Sequence, residues 1–445
     1  MSNVKLQAQE NELVRRVLRG EIGRRDLFRV SAATAATAAA AATIPSVGLV
    51  GAARADEGGP NVKDLSKVIP IGGANATGKW YEFSTMITPI ERFYVRNHYP
   101  TPRAQDHPEL DPANWTLEIH GDAVENPVTL TYEDLLKLPS RLIFATMECH
   151  GNGRNLFWEQ QDMMDVGGGS WGLGAIGQAE WKYVPMSAIF DLVGLKDNAR
   201  EALFWSGVDG GDMGRPMPIA DILERPDDIG LAYQMNGNDL PPDHGFPVRA
   251  LVPGWGGTAS IKWLREIKIS SNRFWTRLNV KAEVYVGPEH WADEPGPNDE
   301  FRDVVAEDVK GNMVRWMNVK STLTVPLTLS KTPNIPPTYP LERDEAPVLA
   351  AGHHRMTGYA WAPHGVREVH YRVNGNGWRR AAIVPPNLGR YTWVRFEFPW
   401  DASEGTHVIE TRATDNNGVA QPETYPFNVY GMTNNAIPKF TIQVA

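Results

Sequence analysis

The stretch LAYQMNGNDLPPDHGFPVRALVPGWGGTASIKWL, residues 231–264, decides how the surrounding chain is read. Its centre, GFPVRALVPG at 245–254, is an apolar run between proline and glycine turns, the pattern of a short buried strand. Upstream, NWTLEIHG (114–121) alternates like a strand, and TYEDLLKLP (131–139) reads as a helix capped by Thr131. MSAIFDLVGL (186–195) and IADILERP (219–226) read as further short amphipathic helices. Strands and helices do not alternate regularly, so the fold class is α+β rather than a doubly wound sheet.

After residue 325 the texture changes. A proline-rich connector, TPNIPPTYP (332–340), precedes GYAWAPHGVREVHYRVNGNGWRRAAIV, YTWVRFEFPW and GTHVIETRATDNNGVA. These runs alternate apolar and polar residues and are separated by Asn-Gly turns. Residues 326–445 therefore predict an immunoglobulin-like β-sandwich, following an α+β domain at 56–325. Thirty-four prolines and forty-one glycines agree with many turns and short strands.

Residues 1–55 read as an export signal. Arg24 and Arg25 precede Asp26, Leu27 and Phe28, an alanine-rich segment follows, and Ala53-Arg54-Ala55 offers a small-x-small cleavage site. That twin-arginine pattern predicts a periplasmic or otherwise exported protein. A retained membrane anchor is the alternative, although Pro45 and the many alanines make a poor span. The net charge of −9 argues against nucleic acid as a partner.

Cys149 is the only cysteine in 445 residues and lies in ATMECHGNGR, 145–154. One cysteine excludes an internal disulfide and a CxxCH haem attachment. Three readings of it stand open. It is a small buried hydrophobe, a nucleophile, or a thiolate ligand to a metal whose other donors come from a cofactor. His150 is badly placed as a base for its own neighbour, because adjacent strand residues point to opposite faces. Taken alone, His244 and Arg249 read as ordinary core or surface residues.

Four segments in order resemble the sulfite oxidase family of molybdopterin-dependent oxidoreductases: YVRNHYPTP (94–102), ECHGNGR (148–154), GAIGQAEWKYVP (174–185) and the 231–264 stretch. The resemblance implies a sulfite-oxidase-like molybdopterin domain followed by a dimerisation sandwich, and hence a homodimer. It implies molybdenum held by Cys149. Tyr94, Val95, Arg96, Asn97, His98, Asp209, His244, Arg249, Ser260, Ile261 and Lys262 are then expected to hold the pterin and its phosphate. Arg96 and Arg154 are expected to line the substrate pocket, with Trp181 as its wall. The implied reaction is oxidation of sulfite or a related sulfur oxyanion, with electrons leaving to an external cytochrome c. A sulfane dehydrogenase and a sulfoxide-type reductase are alternatives within the family, and an exported binding or adhesion protein is one outside it.

Two positions depart from the family pattern. FWTRLNVKAEVY puts Asn279 and Val280 about where a pocket tyrosine is expected, and AWAPHGVREV puts His364 near the place of a second-domain arginine. A histidine in that place makes anion binding pH-dependent. The adjacent His353-His354 pair reads as structure, since its side chains diverge. GGGSWGLGAIG (167–177) lacks the Gly-Lys-Ser/Thr of a phosphate loop and reads as a wall above the site.

Overall fold

A computed structural model of the chain describes residues 63–103, 105–163, 171–208, 213–285, 293–309, 311–324 and 348–445. In it Thr131 does cap the helix Tyr132–Lys137. The Thr131 hydroxyl accepts from the Asp134 amide, while the Asp134 carboxylate accepts from the Thr131 amide. The proposed export signal, Asp209 and the connector 332–340 lie outside the described residues. Among the described residues, no helix is long and apolar enough to cross a membrane.

Two five-stranded sheets build the first domain. In one, Thr116–His120 lies between Val128–Thr131 and Glu266–Ser270, and Glu201–Trp205 and Gly214–Pro218 complete it. The pairing of Thr116–His120 with Glu266–Ser270 is parallel, while its other ladders are antiparallel. Helix Met186–Val193 turns Met186, Ile189, Phe190 and Val193 into the core beside Leu117, Ile119, Ile267 and Ile269. Each such side chain contributes about 2 kcal/mol by leaving water. Gly194 ends that helix.

The other sheet carries the site. Arg141–Glu148 pairs with Ile176–Pro185, which pairs with Gly230–Met235, and this last strand also takes Asn238–Asp239 and Arg249–Leu251. Every ladder in it is antiparallel. The strand read from GFPVRALVPG is therefore real, buried and only three residues long.

The C-terminal strands form a two-layered sandwich. Lys320–Thr324, Gly352–Trp361 and Val394–Ala402 pair in one layer. Val366–Val373, Gly405–Asp415, Lys439–Val444 and Val348–Leu349 pair in the other. Arg379–Val384 pairs with both layers and joins them. Met356, Phe396, Phe398, Val369, Ile409 and Phe440 fill the space between. The first strand, Lys320–Thr324, precedes the connector, so a boundary drawn at 325/326 leaves it on the wrong side of the sandwich.

Candidate active site

The site grows from the end of strand Arg141–Glu148. The chain turns there through Cys149–Gly153: the Asn152 amide donates to the Cys149 carbonyl at 2.9 Å, and the Arg154 amide to that of Gly151 at 2.9 Å. Gly153 sits at φ +85°, and a Cβ there would lie 2.9 Å from the Asn434 carbonyl oxygen. Only glycine fits both demands. The Cys149 amide donates to the Ala175 carbonyl at 2.9 Å, which ties the turn back to the sheet.

A cleft opens onto Cys149. Its lining includes Tyr94, Arg96, Asn97, His98, His244, Arg249, Ser260, Ile261 and Lys262, so positions far apart in the chain meet the thiol at one place. Arg96 Nη2 lies 2.9 Å from His98 Nε2. Asn97 is held by its amide on Asn75 Oδ1 and by its own side-chain amide on Thr101 Oγ1, both at 2.8 Å. Lys262 Nζ donates to Asn97 Oδ1 and, at 2.8 Å, to the Asp243 carbonyl. Arg249 donates to the carbonyls of His244 and Ser260 at 2.9 and 2.8 Å.

Electrostatics follow from burial. Cys149 is 4% exposed; burial and Glu283 push its thiol pKa up, while Arg96 and Arg154 pull it down. Burial, reinforced by Lys63, Lys262 and Arg249, drives His244 well below the ordinary histidine range. Burial, with Arg96 next, does the same to His98. Both imidazoles are therefore neutral near pH 7. Burial also lowers the Arg249 pKa to about 10. Under the turn, His150 Nδ1 meets Glu283 Oε2 at 2.5 Å in a pair almost wholly out of water. Burial raises the Glu283 pKa, but the hydrogen bond and charge of His150 outweigh it and bring it to about 2.

The structure leaves four expected residues off the cleft lining. Val95 is buried and bridges Ala76. Trp181 is not a wall: it is 0% exposed, gives its indole N–H to the Ala145 carbonyl, and backs the site by lying behind Arg249, 5.4 Å from ring to guanidinium, and edge-on to Phe93 at 6.4 Å. The strand that carries it is buried on both faces, so facing inward did not mean facing the cleft. Arg154 is 5% exposed and sits against Gly151, with Nη2 3.8 Å from Met432 Sδ, near enough to act on the thiol. His364 leans on Trp316, 5.2 Å between ring centres, and faces Arg390 Nη2 at 3.0 Å. Asn279 is likewise spoken for, since it closes a capping box with Thr276. Sequence reading missed Phe93, Met147, Met213, Thr258 and Trp263 in the lining. None has a spacing signal, although Thr258 and Trp263 lie inside the 231–264 stretch.

Among the described residues no group of three or more His, Cys, Asp or Glu gathers to hold a metal. Among those residues Cys149 is the one thiol at the cleft, the donor type that suits a soft metal whose further donors come from a bound group. The cleft suits a pterin with a phosphate. His244 Nε2 is buried without a hydrogen-bond partner among the described residues, and Lys262 and Arg96 add cations. Gly257 leaves room that a Cβ, 2.9 Å from Tyr94 Oη, would take.

Fold and site together define a molybdopterin-binding oxidoreductase. Residues 104–277 match the oxidoreductase molybdopterin binding domain, and residues 337–445 match the Mo-co oxidoreductase dimerisation domain. The chain belongs to the sulfite oxidase family. It is 28% identical over 377 residues to the mitochondrial sulfite oxidase of Drosophila melanogaster, covering 80% of this chain and 59% of that one. It is also 28% identical over 374 residues to the NADH nitrate reductase of Ulva prolifera, covering 79% of this chain and 40% of the other. It thus spans about half the length of these curated relatives. The crystal structure of the sulfane dehydrogenase SoxCD from Paracoccus pantotrophus shares the fold, with TM-score 0.64, 23% identity and coverage of 83% and 84%.

Proposed function

We propose that this chain oxidises sulfite or a related sulfur oxyanion at a molybdenum held by Cys149. The observation that carries the reading is the company of the thiol: a buried Cys149 at a cleft, with Arg96 and Arg154 both bearing on it electrostatically. Two guanidinium charges beside one thiol create a place for an anion, since a buried oxyanion needs paired positive charge. Tyr94, Asn97, His98, His244, Arg249, Ser260, Ile261 and Lys262 hold the cofactor; the Arg249 fork fixes the His244 and Ser260 carbonyls and adds its charge, and Lys262 adds a point charge. When bound, the molybdenum cofactor supplies two-electron oxygen-atom transfer. Sulfite gains one oxygen, ultimately from water, and leaves as sulfate; two electrons and two protons are released. Arg96 orients the oxyanion from the cleft lining, Arg154 adds its charge from beside the turn, and the neutral His98 and His244 let the arginines and lysine carry the positive charge of the cleft.

We propose further that the two electrons leave to an external carrier, cytochrome c. We extend the proposal to a homodimer through the C-terminal domain and to export by the twin-arginine route. Sedimentation reads the first. For the second, replacing both Arg24 and Arg25 with lysine should leave the protein in the cytoplasm, and normal periplasmic yield would refute that route.

Steady-state reduction of cytochrome c with sulfite and with thiosulfate, and oxidation of a reduced dye with alkyl sulfoxides as electron acceptors, test the function. Sulfite-dependent reduction is expected. Turnover only with a sulfane-sulfur donor would move the assignment to a sulfane dehydrogenase, and no response to any sulfur donor would remove it.

A further inference from the structure

Beside the cleft, on the far side of the Cys149 turn, lies a polar cluster that the function above does not use. Glu148 immediately precedes Cys149. Its carboxylate accepts from Lys320 Nζ at 2.7 Å, from Asn152 Nδ2 at 2.8 Å and from Trp361 Nε1 at 2.7 Å. Lys320 Nζ also donates to the Asn152 carbonyl at 2.8 Å, and Asn152 Oδ1 accepts from the Ala175 amide at 3.0 Å. Glu148, Lys320, Asn152 and Trp361 are each 3% exposed or less. Lys320 and Trp361 come from the two paired outer strands of the sandwich, where they are register partners. The cluster therefore grips the turn at Glu148 and Asn152, the residues bracketing Cys149. The Thr433 amide, also from the C-terminal part, adds a bond to the His150 carbonyl at 2.7 Å.

We propose that Lys320 is a positioning residue for the Cys149 sulfur, acting through Glu148 and the Asn152 carbonyl. A buried ion pair is a poor source of net stability, because desolvation offsets its attraction and an apolar replacement of the same volume often serves as well. Its distinctive effect is geometric: a fully satisfied buried network admits one arrangement of the backbone it bonds. A lone protein ligand needs that restraint, since its sulfur has to be held to within about 0.5 Å of the productive position. The sandwich domain thus sets the direction of the thiol as well as any contact between subunits.

The inference rests on Cys149 as the metal ligand, a point the parent's own molybdenum content decides separately. The informative variant is Glu148→Gln with Lys320→Met, which leaves no buried charge unpaired yet removes the cation from the Asn152 carbonyl; Lys320→Arg is its conservative companion. Amide hydrogen exchange and the thiolate-to-metal absorption band are read on the purified holoenzymes. Exchange in the peptide spanning 147–156 should rise about tenfold in the double variant, while the remote strand Glu266–Ser270 stays at the parent rate. The absorption band should shift, or be lost together with the metal, and Lys320→Arg should keep the parent's band. An unshifted band in the double variant overturns the proposal. So does faster exchange in both segments together, which would make Lys320 a residue of general stability.

Discussion

Arg96 lines the cleft and bears on the Cys149 thiol. Arg96→Gln should raise KM and lower kcat/KM by roughly two powers of ten, about 3 kcal/mol for a charge-assisted contact near the reacting atoms. A change of less than threefold in sulfite kinetics would place the oxyanion elsewhere. Glu283 gives a second prediction, on acid stability. Its pKa falls from an ordinary 4.5 to about 2 in the folded chain. Because the folded value is the lower one, its contribution is complete above the unfolded pKa and fades as pH falls towards the folded one. It amounts to about 3 kcal/mol in order of magnitude. Acid unfolding of the parent should therefore steepen between about pH 4.5 and 2, and Glu283→Gln should be less stable at neutral pH with a flatter profile there. Parallel acid-denaturation curves for the two proteins would show that the pair contributes nothing.

At the scale of elements, what sequence could and could not convey divides by distance along the chain. Tyr94 to His98, and His244 to Lys262, sit in short segments that reach one cleft, so local spacing was informative. Glu148 and Lys320 are 172 positions apart, and His150 and Glu283 are 133 apart. No periodicity links such pairs; only the tertiary fold does. Trp181 and His364 erred in the other direction. Each stood at a suggestive position, yet the first is enclosed between strands and the second is held on Trp316 and Arg390. Burial, then Arg390, lowers the His364 pKa, so it carries little charge near neutrality. The expected pH-dependent anion contact gives way to a different outcome: His364→Arg should leave the pH profile of kcat/KM superimposable on the parent's. A flattened profile would bring His364 back into the site.

For the whole molecule, the fold class and the order of domains were legible because they rest on texture: irregular short elements first, alternating strands with Asn-Gly turns after. The exact join was not, since strand Lys320–Thr324 precedes the proline-rich connector yet pairs with the sandwich. That strand makes the two parts one working unit, carrying Lys320 to the turn that presents Cys149. The central claim is that this turn presents the only protein ligand of a molybdenum atom. Its most direct test is the molybdenum content of the protein and of Cys149→Ser, purified from a host that makes the cofactor, with the thiolate-to-metal band recorded on each. The account predicts about one molybdenum per parent chain, and loss of the band on substitution while the fold is kept. A parent without molybdenum, or a serine variant that keeps the parent's band, would contradict it.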